Sequence, residues 1–229
     1  MKKIIGIALC GLIVFSGCGN MNQAQKGTLF GGGGGAIVGA ALGYLIGGDV
    51  KSAAIGATAG TAVGATTGAI IGKKMDKKAE ELAALEEAKV ETFEINGFKA
   101  IRVTFDSGIL FDTNSTKLSE TAKKSLKEFA TTMADLPDTD LTIWGHADKT
   151  GTAEYNQKIS LERAKVVNDY LVKCGMNKNH IVAEGKSFDL PIASNDTPEG
   201  RKQNRRVEVY VTANEAMIAA AEAAAKSAE

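Results

Sequence analysis

The C-terminal half of the chain alternates hydrophobic and polar residues in the manner of a folded domain. From about Val90, apolar residues alternate with polar ones on both sides of Asn96-Gly97, a pattern typical of a β-hairpin closed by a tight turn. Further along, apolar residues recur every three or four positions in two stretches, which predicts amphipathic helices. The elements predicted after the hairpin are a helix at 118–136, a strand at 141–145, a helix at 154–174, a strand at 180–184 and a strand at 205–211. Helices that alternate with strands of one sheet predict a two-layer α/β sandwich.

Glycines dominate the pattern of the N-terminal half. They recur at every fourth position in two arrays, which are separated by a polar break at 49–52. The arrays consist of Gly31, Gly35, Gly39, Gly43 and Gly47, and of Gly56, Gly60, Gly64, Gly68 and Gly72. Because a period of four is close to the 3.6 residues of a helical turn, each array predicts a helix with one glycine stripe. We therefore predict that 27–72 forms a glycine-zipper helical hairpin.

The sequence leaves the location of this hairpin open. Each arm has about 20 uncharged residues, roughly the length that crosses a bilayer, and small residues at this spacing let membrane helices approach closely. Glycine, alanine and threonine are only weakly apolar, so a water-exposed or self-associating hairpin is compatible with the same sequence. A phosphate-binding loop is excluded, because Gly72-Lys73 is followed by Lys74 rather than by Ser or Thr.

The start of the chain is predicted to be a targeting segment. Two lysines precede an apolar stretch at 4–15, which is too short to span a bilayer and is typical of a signal peptide, here 1–17. Cys10 is removed with this segment. Apart from Cys18, which follows it directly, only Cys174 remains, so no disulfide framework is expected in the mature chain.

Cys18 is the candidate site of lipid attachment. The small residues at 16–17 and the cysteine after them resemble a bacterial lipobox, which implies cleavage before Cys18 and a lipidated tether at 18–26. The alternative is an ordinary signal peptide with an incidental cysteine. The residue after the cysteine is Gly19, where enteric-type lipoproteins retained in the inner membrane carry Asp, and this favours the outer membrane.

Three further segments are predicted to lie outside the folded core. Residues 73–89 are rich in charges and strong helix formers, which predicts a solvated helical linker. Residues 185–204 are polar and contain two prolines, which predicts a long loop. The Ala-rich tail at 214–229 has only Met217 and Ile218 to dock, and we expect it to fray.

Charge and composition narrow the possible functions. The 27 Lys and Arg residues balance the 27 Asp and Glu residues, and no basic cluster marks a nucleic-acid partner. His146 has neither a nucleophile nor a second metal ligand nearby, since His180 is distant in sequence, and His146 is therefore interpreted as structural. We expect no metal and no other cofactor.

Three stretches carry a specific resemblance. They are FDSGILFDTNSTKLS from residue 105, GHADKTGTAEYNQKISLERAKVVNDYL from residue 145 and PIASNDTPEGRKQNRRVEV from residue 191. Residues 90–213 resemble the C-terminal peptidoglycan-binding domain of the OmpA family, with these stretches in the family's order and spacing. The resemblance implies a βαβαβ core with a mixed sheet. With the lipobox and the glycine arrays, the whole chain resembles an OmpA-family outer-membrane lipoprotein.

The resemblance also implies a binding site. Asp148 would accept hydrogen bonds from the ammonium of diaminopimelate in the peptidoglycan stem peptide, and Arg163 would bind the carboxylate on the same carbon. Asn156 and Arg206 fall at further binding positions of the family, and Asp112 is a weaker candidate. The helical spacing independently places Asn156 and Arg163 on one face of the second helix, which follows the turn that contains Asp148.

Simpler interpretations of the same residues remain open. Asp148 and Arg163 are alternatively a structural ion pair. Arg205, beside Arg206, is predicted to form a surface salt bridge. Where the family commonly has Thr, this chain has Ala147, and we expect backbone amides of the turn to replace the missing hydroxyl.

The leading hypothesis is a binding protein that tethers the outer membrane to the cell wall from the periplasmic side. Its partners would be peptidoglycan, membrane lipid through acylated Cys18, and other copies of the chain through the glycine arms. The alternative is a glycine-zipper membrane assembly or pore with an accessory wall-binding domain. A peptidoglycan hydrolase is disfavoured, because paired carboxylates, a zinc ligand set and a Cys/His pair are not evident, and no catalytic residue is assigned. A flagellar stator is disfavoured by Cys18 and the paired arms.

Overall fold

The computed structural model describes residues 65–95, 97–111 and 115–227. The predicted signal peptide, Cys18, Asp112 and the part of the glycine segment before residue 65 therefore lie outside the described residues. The helices are α1 (Ala65–Ala83), α2 (Ser107–Leu110), α3 (Glu120–Met133), α4 (Ala153–Lys173), α5 (Pro198–Asn204) and α6 (Glu215–Lys226). The strands are β1 (Ala88–Ile95), β2 (Phe98–Asp106), β3 (Thr139–Gly145), β4 (Ile181–Gly185) and β5 (Arg206–Ala213), and a short 3-10 turn at Lys178–His180 precedes β4.

The strands of the described residues form one mixed sheet in the order β1-β2-β5-β3-β4. Strands β3 and β4 pair in parallel, whereas the other three pairs are antiparallel. The last strand, β5, lies in the middle and joins the β1–β2 hairpin to the parallel pair. The predicted α/β sandwich with a mixed sheet is confirmed.

The core lies between one face of this sheet and a layer of helices. Alternate residues of the central strand β5 (Val207, Val209 and Val211) are fully buried, as expected for a strand with one face toward the core. Helix α3 contributes Phe129, whose ring meets the ring of Phe105 edge to face at 6.4 Å. The buried hydrophobic residues that α4 adds are Ala164, Val167 and Leu171.

Helix α4 contacts the ends of β3 and β4 through two glycines. A Cβ atom on Gly145 would lie 2.0 Å from the carbonyl oxygen of Ser160, and one on Gly185 would lie 2.7 Å from the backbone nitrogen of Leu161. No side chain is tolerated at either position without movement of the helix. The helix backbone therefore lies directly on the carboxyl ends of the parallel strands, next to the turn that follows β3.

The prediction of a solvated linker at 73–89 is wrong for its helical part. Helix α1 packs on the domain, and its residues Ile71, Met75 and Leu82 are fully buried. The ammonium group of Lys78 is also buried, where it donates a 2.7 Å hydrogen bond to the carbonyl oxygen of Thr132 and pairs with carboxylates. The apolar residues of α1 recur every three or four positions, which is the period of a buried helix face. This face is narrow and many charged residues surround it, so the sequence pattern predicted a solvated helix instead.

Helix α1 also crosses the predicted boundary between the glycine segment and the linker. Gly68 and Gly72, which are the last two glycines of the second array, lie within the same continuous helix as the buried Met75. The end of the glycine segment is therefore part of the folded domain. Among residues 65–95, 97–111 and 115–227, no helix is both long and apolar enough to cross a bilayer.

The expectation that the C-terminal tail frays is wrong for its described part, which forms a helix. Helix α6 begins at Asn214, whose side chain accepts a 3.1 Å hydrogen bond from the amide of Met217. Met217 and Ala221 are buried, and the helix packs against α1. The sequence prediction failed because the partner surface for this short apolar face is supplied by α1.

The buried position of α1 leads to a stability prediction. Met75→Ala removes a fully buried side chain, and we expect it to lower the free energy of unfolding by about 2–5 kcal/mol. The control is Lys74→Ala, an exposed neighbour on the same helix, which should change it by less than about 0.5 kcal/mol. Denaturant unfolding of the full chain measures both, and equal values for the two variants would contradict the packing of α1.

Candidate functional site

A cavity of about 800 Å³ opens beside the turn that follows β3. The turn forms one side, the first half of α4 forms another, and residues of α2 and α5 close the remainder. Among the described residues, the charged side chains that line the cavity are those of Asp148, Arg163, Arg201 and Arg205. The cavity therefore contains more positive than negative charge.

Asp148 is an ionised, largely buried carboxylate at this cavity. It is 7% exposed, and its Oδ1 accepts a 2.7 Å hydrogen bond from the amide of Thr150, while Oδ2 accepts one from Nη1 of Arg205. Burial alone would raise the pKa of Asp148, but the bonds from Thr150 and Arg205 outweigh it and hold the pKa below its ordinary value. A carboxylate has about four acceptor positions, so Asp148 can still accept from a ligand.

Arg163 presents a largely buried guanidinium that forms no salt bridge with the carboxylates of the described residues. Its Nε and Nη2 donate hydrogen bonds of 3.3 and 3.4 Å to the carbonyl oxygen of Ser115, and the group lies 5.3 Å from the ring centroid of Phe111. Burial and the nearby charge of Arg205 lower the pKa of Arg163, but an arginine keeps its proton in proteins. Within the described part of the chain, no carboxylate oxygen lies within 4.0 Å of this side chain. The alternative of an Asp148–Arg163 ion pair is wrong, because the partner of Asp148 is Arg205.

Asn156 and Tyr155 form the start of α4 at the cavity wall. Nδ2 of Asn156 donates a 2.9 Å hydrogen bond to the carbonyl oxygen of Thr150, so this predicted site residue ties the turn to the helix. Tyr155 is about half exposed at the cavity. Thr152 caps the helix by accepting a hydrogen bond from the amide of Tyr155.

The two neighbouring arginines differ in position from the prediction. The one predicted as a binding residue lies away from the cavity, and the one predicted to form a salt bridge forms it at the cavity. Arg206 does not line the cavity. Its Nε donates to Glu208 at 2.8 Å and its Nη2 donates to the carbonyl oxygen of Leu190. Arg205, which was expected at a surface salt bridge, faces the cavity and bonds Asp148. Because neighbouring residues of an extended chain point to opposite sides, only one of the two can reach the site. Arg205 shares the side of Val207, on which the helices pack, and this alternation is a sequence signal that could have identified it.

A buried polar network lies behind the turn, on the other side of the sheet. Glu208 accepts hydrogen bonds from Arg206 and from the hydroxyl of Tyr210, and its Oε2 lies 3.3 Å from Nε2 of His146. Burial alone would raise the pKa of Glu208, but these neighbours hold it below the ordinary value. Burial lowers the pKa of His146, and the side chain does not line the cavity. The interpretation of His146 as structural agrees with this position.

Helix α5 was missed in the sequence, which predicted one long loop over 185–204. The available signal was Thr197 followed by Pro198, since a capping threonine and a proline in the first turn are typical of a helix start. Oγ1 of Thr197 accepts a 3.0 Å hydrogen bond from the amide of Gly200. Arg201 and Arg205 are four residues apart and therefore project to the same side of this segment, toward the cavity.

Two asparagines join α5 to the turn that holds Asp148. The buried side chain of Asn204 accepts hydrogen bonds from the amides of Ile192 and Ala193 and donates to Oδ1 of Asn195. The same oxygen of Asn195 accepts a 3.1 Å hydrogen bond from the amide of Lys149. Asp148, Arg201 and Arg205 are consequently held in one hydrogen-bonded frame.

The backbone amides of the turn are already used within the protein. The amide of Ala147 donates to the carbonyl oxygen of Ser187 at 2.7 Å, that of Lys149 donates to Asn195, and that of Thr150 donates to Asp148. The expectation that these amides would replace the missing threonine hydroxyl is therefore wrong for these three positions. Asp112 lies outside the described residues, and within the described ranges no group of three or more His, Cys, Asp and Glu residues is arranged to hold a metal.

Comparison with known proteins gives two family matches. Residues 110–205 match the OmpA family, and residues 1–76 match the YMGG-like Gly-zipper. The chain is 39% identical over 127 residues to outer membrane porin F of Pseudomonas aeruginosa, which covers 53% of this chain and 36% of that protein. It is 40% identical over 112 residues to the peptidoglycan-binding protein ArfA of Mycobacterium tuberculosis, which covers 49% of this chain and 34% of that protein. The chain thus spans about a third of the length of these curated relatives.

A solved structure supports the same fold. The cell wall anchor of the T6SS from Pseudomonas aeruginosa superposes with a TM-score of 0.51 and 28% sequence identity. The match covers 61% of this chain and 97% of that chain. The similarity therefore includes nearly the whole of the anchor domain.

The asparagine frame of the site leads to a prediction. Asn204→Ala removes a buried side chain that accepts hydrogen bonds from two partly buried backbone amides, and we expect it to lower the free energy of unfolding by about 1–3 kcal/mol. The adjacent Gln203→Ala, at an exposed side chain, is the control and should have little effect. Denaturant unfolding of the full chain measures both, and a stability of Asn204→Ala equal to that of the control would contradict the frame.

Proposed function

Because residues 110–205 form an OmpA-family domain, we propose that this chain binds peptidoglycan non-covalently and tethers the outer membrane to the cell wall. The observation that carries the proposal is the presence, at one cavity, of an ionised carboxylate on Asp148 and of a guanidinium on Arg163 that forms no salt bridge within the described part of the chain. The names of ArfA, a peptidoglycan-binding protein, and of the T6SS cell wall anchor support this direction.

The proposed ligand group is the free end of diaminopimelate in the stem peptide. It carries an ammonium and a carboxylate on one carbon, so it is a zwitterion with the two charges close together. Asp148 accepts hydrogen bonds from the ammonium, and the planar fork of Arg163 binds the carboxylate. Asn156 holds the turn in place for this contact, and Asp112 remains a candidate contact from the segment before α3.

We propose binding without catalysis. Asp148 is the single carboxylate among the described residues that line the cavity, whereas glycoside hydrolysis uses two. This carboxylate is held ionised by its partners, which suits a charge contact rather than proton transfer near neutral pH. Specific charge complementarity is the property that a tether requires.

The membrane end of the proposed tether is the N-terminal segment. Lipid on Cys18 would anchor the chain at the periplasmic face of the outer membrane, and the glycine arms would pack against each other or against other copies. A second candidate function, a glycine-zipper membrane assembly or pore with an accessory wall-binding domain, is supported by the Gly-zipper match over residues 1–76. Both candidates use the same wall-binding site.

The wall-binding role predicts the behaviour of two variants. Asp148→Asn and Arg163→Gln each remove one charge from the site, and we expect each to weaken binding of the full chain to isolated sacculi at least about tenfold. Co-sedimentation over a range of sacculus concentrations measures this. Wild-type binding by both variants would overturn the proposal.

Matched controls exist on the exposed side of α4. Asp169→Asn and Lys165→Gln remove the same charges from exposed positions of that helix and should bind like the wild type. Thermal unfolding of each variant identifies any loss of folding. Asp148 lies in the turn and Arg163 lies on α4. If Asp148→Asn disturbs the turn locally, Arg163→Gln therefore still tests the binding site.

The proposed lipid attachment at Cys18 leads to a separate prediction. Cys18→Ser removes the site of lipid attachment, and we expect the chain to move from the outer-membrane fraction to the soluble periplasmic fraction of wall-digested cells. Globomycin treatment of the wild type should cause the unprocessed precursor to accumulate. An unchanged outer-membrane location of Cys18→Ser would contradict lipid anchoring and favour direct insertion of the glycine arms.

A further inference from the structure

The described residues that line the cavity carry two more positive charges than the proposed zwitterion uses. A group with one ammonium and one carboxylate pairs with Asp148 and Arg163 and brings no net charge. Arg201 and Arg205 line the same cavity and remain in excess. We propose that these two arginines form a second anion subsite, which binds another carboxylate of the stem peptide. This inference rests on the proposed function and deepens it.

The positions of the two arginines support a shared subsite. They are four residues apart along α5 and its end, so both guanidinium groups lie on one side of that segment. Nη1 of Arg205 donates a hydrogen bond to Asp148. Nη1 of Arg201 donates to the carbonyl oxygens of Asn195 and Asp196 at 2.9 and 3.1 Å. Each guanidinium has five N–H donors, so donors of both side chains remain available to a ligand.

The subsite is preorganised by the segment at residues 192–196, which packs against α5. A Cβ on Gly200 would lie 2.0 Å from the carbonyl oxygen of Ser194, so α5 and this segment are in direct backbone contact. Asn204 and Asn195 add the hydrogen bonds that tie the segment to α5 and to the turn. A guanidinium held by fixed carbonyls loses less conformational freedom when it binds an anion, and this favours affinity.

The size of the cavity fits a ligand longer than one amino acid head group. Its volume of about 800 Å³ lies in the range that holds ligands of drug size. A stem tetrapeptide carries two carboxylates besides the one on the zwitterionic carbon, namely the α-carboxylate of the γ-linked glutamate and the carboxyl end of the peptide. Both have the chemistry that an arginine pair recognises.

The consequence is selectivity for stem peptides with free carboxylates. An amide at the recognised position keeps the shape but removes the negative charge, so the two arginines lose their ionic partner. We expect amidation of that carboxylate to weaken binding about tenfold, whereas amidation of the other carboxylate has little effect.

Calorimetric titration of the full chain tests this with three peptides. They are L-Ala-γ-D-Glu-meso-diaminopimelate-D-Ala, the same peptide amidated at the glutamate α-carboxylate, and the same peptide amidated at its carboxyl end. Weaker binding of one amidated peptide supports the subsite and identifies which carboxylate it binds. Equal binding of all three overturns the subsite but leaves the proposed function intact. Absence of binding to any of the three overturns the proposed function itself.

Variants assign the effect to the arginines. Arg201 does not contact Asp148, so Arg201→Gln leaves that carboxylate undisturbed. In this variant the affinity ratio between the unmodified and the amidated peptide should fall toward one. The same fall is expected for Arg205→Gln. Lys202→Gln removes an exposed charge from the same helix and should keep the wild-type ratio. Because the ratio compares two ligands of one variant, a partial loss of folded protein cancels. A wild-type ratio in both arginine variants would overturn the assignment.

Discussion

The site depends on the direct contact between α4 and the ends of β3 and β4. Gly145 and Gly185 have no side chains, so the helix backbone reaches the strand ends at distances that a Cβ atom would not permit. This contact sets the height of α4 above the turn that follows β3. Asp148 in the turn and Arg163 on the helix consequently line one cavity, although no hydrogen bond or ion pair joins them.

Electrostatics divides the arginines of this region into two groups. Arg206 is neutralised within the protein by Glu208, in a buried network that supports the sheet. On the helix side, among residues 65–95, 97–111 and 115–227, the cavity is lined by the carboxylate of Asp148 and by three guanidinium groups. Burying charge without a partner is costly, and a ligand that supplies the missing negative charge recovers part of that cost. The positive excess thus favours an anionic or zwitterionic ligand, which agrees with a wall peptide and its carboxylates.

Helix α1 connects the two halves of the chain in an unexpected way. The last glycines of the second array continue without a break into a helix whose apolar face is buried in the domain. Lys78 fixes this helix to the end of α3 through the carbonyl oxygen of Thr132 and the carboxylate of Asp135. In the proposed tether, the end of the glycine segment from residue 65 onward is therefore joined to the folded domain by continuous helix rather than by a solvated linker.

Local sequence patterns determined much of this protein. Apolar periodicity located α3, α4 and the strands, and the Asn-Gly pair located the hairpin. Helical spacing placed Asn156 and Arg163 on one face. These predictions were possible because each signal is complete within a few residues. Tertiary structure alone decided the packing of α1 and α6, whose narrow apolar faces are buried against each other and the domain. It also decided the partner of Asp148, since Arg205 lies 57 residues further along the chain. The alternation along β5 indicates which arginine of the adjacent pair lies on the apolar side, but only the assembled sheet brings that arginine to Asp148.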